Sequence, residues 1–252
     1  MQTRSLLLTL LATLSLGSLA AQTTPLPSVW KTEVGFGYSR GDYGLAEDTE
    51  VYSAPVSLVY ETADWTFRAT APWVSIKGPA VIPGVGGRPT SGEESGLGDI
   101  TAGMTYKLWN NPDALNVNLS GRVKFHTADE DRGLSTGGTD YYTQLDFLRT
   151  YGSVTPFITA GYRWMGDSGL YQLEDGFYGA AGLAYRLMEG TSLGAAYEWR
   201  EEIVAGGDAS SEASVFVFRK FNERWSGSVY ALAGFTDASP DHSLGGSLIF
   251  SF

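Results

Sequence analysis

The feature that most constrains this chain is an alternation of apolar and polar residues with a period of two. It is clearest at residues 115–126, where Leu115, Val117 and Leu119 alternate with polar neighbours such as Asn116 and Asn118. Because successive side chains of a β-strand point to opposite faces, this pattern predicts a strand with one apolar and one polar face. Twelve such segments follow one another, at residues 29–40, 50–61, 64–74, 97–108, 115–126, 139–150, 154–165, 177–187, 192–202, 212–221, 224–235 and 243–252. Only 212–221 is ambiguous in phase, because residues 215–218 are all apolar.

The connections between these segments alternate between short turns and longer polar loops. The turns are residues 62–63, 109–113, 151–153, 188–190 and 222–223, and the loops are 41–49, 75–96, 127–138, 166–176, 203–211 and 236–242. An even number of strands joined in this way is typical of an outer-membrane β-barrel. The sequence therefore predicts an all-β fold, a transmembrane antiparallel up-and-down β-barrel of about 12 strands. A soluble β-sandwich, which also alternates, is the alternative fold.

Aromatic residues on the apolar faces favour the barrel over the sandwich. Four pairs lie eight residues apart, namely Trp30 and Tyr38, Tyr52 and Tyr60, Trp65 and Trp73, and Phe177 and Tyr185. Eight residues span roughly 26 Å along a strand. At a tilt of about 40° this is about 20 Å of depth, close to the roughly 25 Å apolar band between two aromatic girdles. Aromatic residues make up 13% of the chain and charged residues only 18%, against roughly a quarter in ordinary soluble domains.

The two ends of the chain predict its destination. Residues 1–21 combine a single positive charge at Arg4 with an apolar stretch and small residues at Ala20 and Ala21, the pattern of a secretory signal peptide. A transmembrane anchor is the alternative, but the apolar stretch is short for a span. We expect residues 22–28 to be a short periplasmic segment and residues 29–252 to form a barrel in the outer membrane of a diderm bacterium. The last strand should pair with the first, and the terminal Phe252 resembles the signal that the outer-membrane assembly machinery reads.

The polar faces of the strands should point into the barrel. The charged residues predicted to line the lumen are Glu33, Arg68, Asp99, Arg122, Lys124, Asp146, Arg163, Arg186, Glu198 and Arg200. They could set the selectivity of a pore or form a salt-bridged plug, since twelve strands lie between the filled eight-stranded barrels and the wide 16- to 18-stranded ones. Arg68, Arg122 and Asp146 lie near mid-strand and are candidates for a constriction. The long loop 75–96, rich in glycine and proline, is expected to be a lid or an infolded segment.

Other functional classes receive little support from the sequence. A net charge of −11 argues against a nucleic-acid partner, and the absence of cysteine excludes disulfides and thiolate chemistry. His126 and His242 both fall at the predicted extracellular rim, where an outer-membrane hydrolase would place a catalytic base. Neither lies in a motif with catalytic spacing, so the sequence predicts a protein that is not an enzyme and uses no cofactor or metal.

Two stretches carry a resemblance to a known family. SGLGDITAGMTYKLW at 95–109 and GFTDASPDHSLGGSLIFSF at 234–252 are similar to segments of the outer-membrane family named for the meta-pathway of phenol degradation. The resemblance implies a transporter or channel for small, often hydrophobic or aromatic compounds. We therefore expect a passive outer-membrane channel whose partners are outer-membrane lipid, the assembly machinery and a small-molecule solute. The alternatives are a closed-lumen structural or surface-interaction barrel and, more remotely, an outer-membrane hydrolase.

Overall fold

The computed structural model describes residues 28–80, 92–111, 115–167 and 172–252. The predicted signal peptide and residues 22–27 lie outside this part of the chain. The described residues form thirteen strands: β1 (Val29–Gly41), β2 (Thr49–Glu61), β3 (Trp65–Lys77), β4 (Glu93–Leu97), β5 (Thr101–Asn110), β6 (Asn116–Lys124), β7 (Asp140–Leu148), β8 (Val154–Trp164), β9 (Gly176–Met188), β10 (Thr191–Arg200), β11 (Ser210–Lys220), β12 (Trp225–Gly234) and β13 (His242–Ser251). In these ranges no helix is long and apolar enough to cross a membrane.

The strands form one closed antiparallel sheet. Each pairs with its neighbours along the chain, and β1 also pairs with β13, from Lys31 opposite Ser251 to Arg40 opposite His242. Because β4 and β5 both pair with β3, end to end, they share one position in the ring. The cylinder therefore has twelve strand positions, and the predicted up-and-down barrel is confirmed.

The outer surface of the cylinder is apolar. On β1 the outward residues Trp30, Val34 and Phe36 are each about half exposed, at 48–52%, whereas the neighbouring Lys31 and Glu33 turn to the other face. Outward aromatic rings contact one another across strands near both ends of the barrel. Examples are Trp30 with Tyr60, Trp65 with Tyr106, Tyr38 with Tyr52, and Tyr162 with Phe177, with ring centroids 4.5–4.9 Å apart. This is the exterior of a transmembrane barrel with two aromatic girdles.

On the inner surface, four aromatic side chains lie directly over glycines of the adjacent strand. The pairs are Phe157 over Gly182, Phe216 over Gly194, Tyr178 over Gly161 and Tyr230 over Gly245. A Cβ atom at Gly194, for example, would lie only 2.2 Å from Cζ of Phe216. Each glycine thus makes room for a ring to lie against the wall, and the ring in turn covers a backbone that has no side chain of its own. We call these the aromatic–glycine pairs.

The pair formed by Phe216 also settles the phase of β11. Val215 and Val217 are 59% and 40% exposed on the outer face. Phe216 instead points inward, over Gly194 of β10. Sequence alone left this phase open because both faces of the strand are apolar at this level.

The predicted strand 97–108 is broken in the structure into β4 and β5. Leu97 pairs with Trp73, and Thr101 pairs with Thr70. The chain therefore advances by four residues from Leu97 to Thr101, whereas β3 advances by only three. The extra residue lies at 98–100 and forms a bulge. The outward face therefore changes from odd-numbered Leu97 to even-numbered Met104, both about half exposed. The prediction of one continuous alternation through Asp99 was wrong, because a bulge inverts the phase without changing the composition.

The aromatic–glycine pairs make a stability prediction. Gly194→Ala should destabilise the barrel by about 1–3 kcal/mol, because the new methyl group would overlap the Phe216 ring and lie 2.6 Å from the backbone oxygen of Leu183. Gly121→Ala is the matched control in β6, since a Cβ atom there meets nothing within 4 Å. Urea unfolding of the lipid-refolded variants, followed by tryptophan fluorescence, measures the difference. Equal stability of the two variants would contradict the packing described.

Candidate functional site

Charged side chains of the inner wall lie in rows that follow the hydrogen bonds between strands. One row of successive cross-strand partners runs Lys31, Val59, Arg68, Gly103, Arg122, Tyr142, Arg163. We call it the basic row. Because barrel strands tilt by roughly 35–45°, such a row climbs around the wall. It begins at Lys31, close to the short-turn end of β1, and reaches Arg163 at the long-loop end of β8.

A second row carries the opposite charge. It runs Asn118, Asp146, Thr159, Ala180, Glu198, Glu212. We call it the acidic row. On β6, β7 and β8 it lies four residues nearer the short turns than the basic row, as Asn118 does relative to Arg122. On these strands Arg122 and Arg163 thus lie at a different height from Asp146.

Several residues predicted to line the lumen are brought together in pairs. Arg68 Nη1 lies 2.6 Å from Glu33 Oε2, although β2 separates their strands, so the pair bridges the inner face of the wall. Arg200 pairs with Glu212, both buried. Arg163 donates to the backbone oxygen of Glu201 and is 3% exposed.

Other predicted residues form no ion pair with any residue that the structure describes. Arg186 lies at the short-turn end of β9 and donates to the backbone oxygen of Gly152 at 2.9 Å. Glu198 and Asp146 belong to the acidic row, and Asp146 accepts hydrogen bonds from Thr159 Oγ1 at 2.7 Å and from the Gln144 amide at 2.9 Å. Neutral donors thus satisfy the Asp146 carboxylate.

Arg122, also predicted to line the lumen, contacts an aromatic ring. Its guanidinium carbon lies 4.2 Å from the centroid of the Tyr142 ring, a cation–π contact. Within residues 28–80, 92–111, 115–167 and 172–252 it has neither a salt bridge nor a hydrogen bond, and its shielded Nε has no partner. Arg122 is half-buried and lies two residues before the long-loop end of β6, not at mid-strand as the sequence predicted.

The loop after β6 turns into the extracellular mouth. Leu134 is 1% exposed and packs on Val74 and Ala128, and Val74 is on the inner face of β3. Ser135 and Thr136 are also buried. We call residues 127–136 the inturned segment. The sequence predicts that loop 75–96 is a lid or an infolded segment. Residues 81–91 of that loop lie outside the described residues, so its role stays a prediction.

A buried charge cluster anchors the inturned segment. Lys124 Nζ lies 3.1 Å from Asp99 Oδ2 and 3.0 Å from Asp140 Oδ2, with all three side chains at most 4% exposed. Asp99 Oδ1 accepts the backbone N–H groups of Thr127 and Ala128, both at 3.0 Å, and Asp99 Oδ2 accepts Ser135 Oγ at 2.7 Å. Asp99 and Lys124 therefore hold the inturned segment against the inner wall, and neither presents a free charge.

Sequence reasoning missed Asp140 and Glu212, the partners of Lys124 and Arg200. Asp140 shares its phase with Gln144 and Asp146, so the alternation of that segment already contained the signal. The sequence did not predict that the Glu212 side chain points inward, because the phase of segment 212–221 was ambiguous.

The two histidines are not joined in one site. His126 Nε2 lies 3.7 Å from Glu130, and the His242 ring lies 6.2 Å from the Tyr38 ring. They belong to the ends of β6 and β13, which are nearly opposite each other in the ring. Over the described ranges, no group of three or more acidic or histidine side chains is placed to hold a metal ion.

Comparison with solved structures supports the fold. An outer-membrane channel from Pseudomonas putida F1 matches with a TM-score of 0.73 and 15% identity, over 93% of this chain and 100% of that one. The KdgM porin matches with a TM-score of 0.58 and 8% identity, over 87% and 99% of the two chains. At these identities the likeness concerns the fold alone.

Comparison of the sequence itself with the curated proteins gives no significant match. A family model, in contrast, matches residues 33–252, nearly the whole barrel. The match includes both motifs that carried the resemblance, at 95–109 and at 234–252. The chain therefore belongs to the outer-membrane β-barrel family described as "Putative MetA-pathway of phenol degradation".

Proposed function

We propose that the protein is a passive outer-membrane channel for small solutes. The observation that carries this proposal is the unpaired guanidinium of Arg122, half-buried on the inner wall two residues before the long-loop end of β6. In a barrel filled only for stability, each inner charge would be expected to have a polar partner, since an unpaired charge away from water is costly. A cation without a polar partner is tolerated where water reaches it, and such a water path is what a channel provides.

The charges predicted to line the lumen fit this role as selectivity elements. Glu33 and the basic row lie on β1 to β8, and the aromatic–glycine pairs lie on β8 to β13. These pairs provide apolar contact for a solute. They support the hydrophobic or aromatic solutes that the family resemblance implies, and passage driven by the solute's own gradient needs no cofactor.

Export and assembly complete the proposal. The pattern of residues 1–21 supports secretion through a cleaved signal peptide. The aromatic girdles support outer-membrane lipid as the surrounding partner. Recognition of the final strand by the outer-membrane assembly machinery remains part of the same proposal.

A closed-lumen barrel that acts through its surface loops is the second candidate. The observation in its favour is the inturned segment, which packs on the inner face of β3 at the long-loop end of the barrel and is anchored by the Lys124 cluster. Planar-bilayer recordings of the purified protein separate the two candidates. Discrete openings support the channel, and their absence across salts and voltages supports the closed barrel.

Arg122→Glu should shift ion selectivity towards cations, because it replaces the unpaired positive charge of the wall with a negative one. The reversal potential under a salt gradient measures this shift. Arg149→Glu is the control, because Arg149 also stacks on a tyrosine, Tyr151 at 4.8 Å, but is exposed at a short turn. A reversal potential unchanged in Arg122→Glu would contradict the lumen assignment of this residue.

Lys124→Met should loosen the inturned segment and increase single-channel conductance. The change leaves Asp99 and Asp140 buried without their cation, at a cost of about 3–5 kcal/mol of stability. The milder variant Ser135→Ala removes the 2.7 Å hydrogen bond to Asp99 and the 3.0 Å bond that Ser135 Oγ accepts from the Gly137 N–H, a loss of about 2 kcal/mol, and should give a smaller increase. Conductance at the wild-type level in both folded variants would show that the segment does not restrict the path.

A further inference from the structure

The guanidinium of Arg122 has donors that the protein does not use. Its neighbouring carboxylates are occupied, since Asp99 and Asp140 both contact Lys124, and Asp146 accepts bonds from Gln144 and Thr159. A guanidinium carries five N–H groups in a fixed plane and always keeps its charge. In the described residues, none of these groups on Arg122 has a protein acceptor. Because Nε of Arg122 is shielded, the terminal Nη groups are the donors left for a ligand.

The position of this cation is held by a rigid base. The Tyr142 ring lies 4.2 Å from the guanidinium carbon and is 7% exposed. Its hydroxyl donates to Asp140 Oδ2 at 3.3 Å, which ties the ring to the Lys124 cluster. On the other side, Gly103 places no side chain between Arg122 and the neighbouring strand. A guanidinium stacked on a ring keeps its edge free, and that edge matches the two oxygens of a carboxylate.

An aromatic surface continues from this cation along the wall. Tyr178 contacts Tyr142 edge to face, with ring centroids 6.5 Å apart. It lies over Gly161 and donates its hydroxyl to Gln144 Oε1 at 3.1 Å. Because the ring lies against the wall over a glycine, its other face is turned towards the barrel interior. Tyr178 is half-buried, so part of that surface is open to contact.

We propose that Arg122, Tyr142 and Tyr178 form a subsite that binds the carboxylate of a small organic acid with a planar, apolar body. The carboxylate pairs with the free edge of Arg122, and the apolar body lies against the Tyr178 ring. An inorganic anion would use the cation and leave the aromatic surface unused, whereas a neutral hydrocarbon would use the surface and leave the cation unpaired. The proposal rests on the proposed channel function, because it describes a solute in the lumen.

Binding of sodium benzoate to the detergent-solubilised full-length protein, measured by isothermal titration calorimetry, tests the subsite. Benzyl alcohol has the same ring without the charge, and acetate has the charge without the ring. We expect benzoate to bind more tightly than either. Arg122→Gln should weaken benzoate binding by about tenfold or more, the effect of losing a charge-assisted hydrogen-bonded pair.

Three controls make the result specific to Arg122. Arg149→Gln removes another arginine that stacks on a tyrosine, but at an exposed turn, and should leave benzoate binding unchanged. Arg122→Lys keeps the charge without the planar fork and should retain only part of the affinity. Urea unfolding of each variant establishes that the barrel is folded before the titrations are compared.

The outcomes distinguish this inference from the proposed channel function. Equal benzoate binding by the wild type and Arg122→Gln, or binding of benzyl alcohol as tight as that of benzoate, overturns the subsite. So does the absence of benzoate binding to a protein that conducts ions in planar bilayers, and the channel function then stands alone. Benzoate binding that depends on Arg122 in a protein without conductance supports the subsite and overturns the channel.

Discussion

The structure depends on the pairing of β1 with β13. In the hydrocarbon of a bilayer no water is present to satisfy backbone N–H and C=O groups, so an open strand edge would cost several kcal/mol for each unpaired group. The ladder from Lys31 opposite Ser251 to Arg40 opposite His242 removes that edge. Once the sheet is closed on twelve positions, the tilt of its strands and the width of its interior are no longer independent. The inner wall, where the residues of the proposed function lie, therefore takes its shape from this closure.

The register of the closed sheet also aligns side chains that are distant in the sequence. Arg68, Arg122 and Arg163 belong to three different hairpins, yet they fall on a single row. A neutral residue, Gly103 or Tyr142, separates each cation from the next. Cations two strands apart are roughly 10 Å from each other, about one Debye length, so their mutual repulsion is modest where water is present. A row of spaced cations beside a row of carboxylates is compatible with a water path, and it gives a charged solute a preferred side of the wall.

Sequence patterning predicted much of the fold and less of the site. Eleven of the twelve predicted segments correspond to single strands, and the exposed aromatic faces of the membrane surface were assigned correctly. The prediction of a continuous alternation through Asp99 failed for a physical reason. A bulge turns one residue out of the ladder, and the energy that stabilises it comes from the backbone N–H groups of Thr127 and Ala128 in another loop. The ambiguity at Phe216 has a similar cause, because a glycine on the neighbouring strand decides where that ring lies.

By itself, the sequence determined the number of strand positions, which face of nearly every strand meets lipid, and the family to which the chain belongs. These properties follow from alternation and turn chemistry, which are local and repeat along the chain. Only the tertiary structure decided which charges neutralise each other. Lys124 gains Asp99 and Asp140, whereas Arg122, two residues away on the same face, gains only the ring of Tyr142. The physical reason is that pairing across strands depends on the register and tilt of the closed sheet, and no stretch of sequence contains both partners.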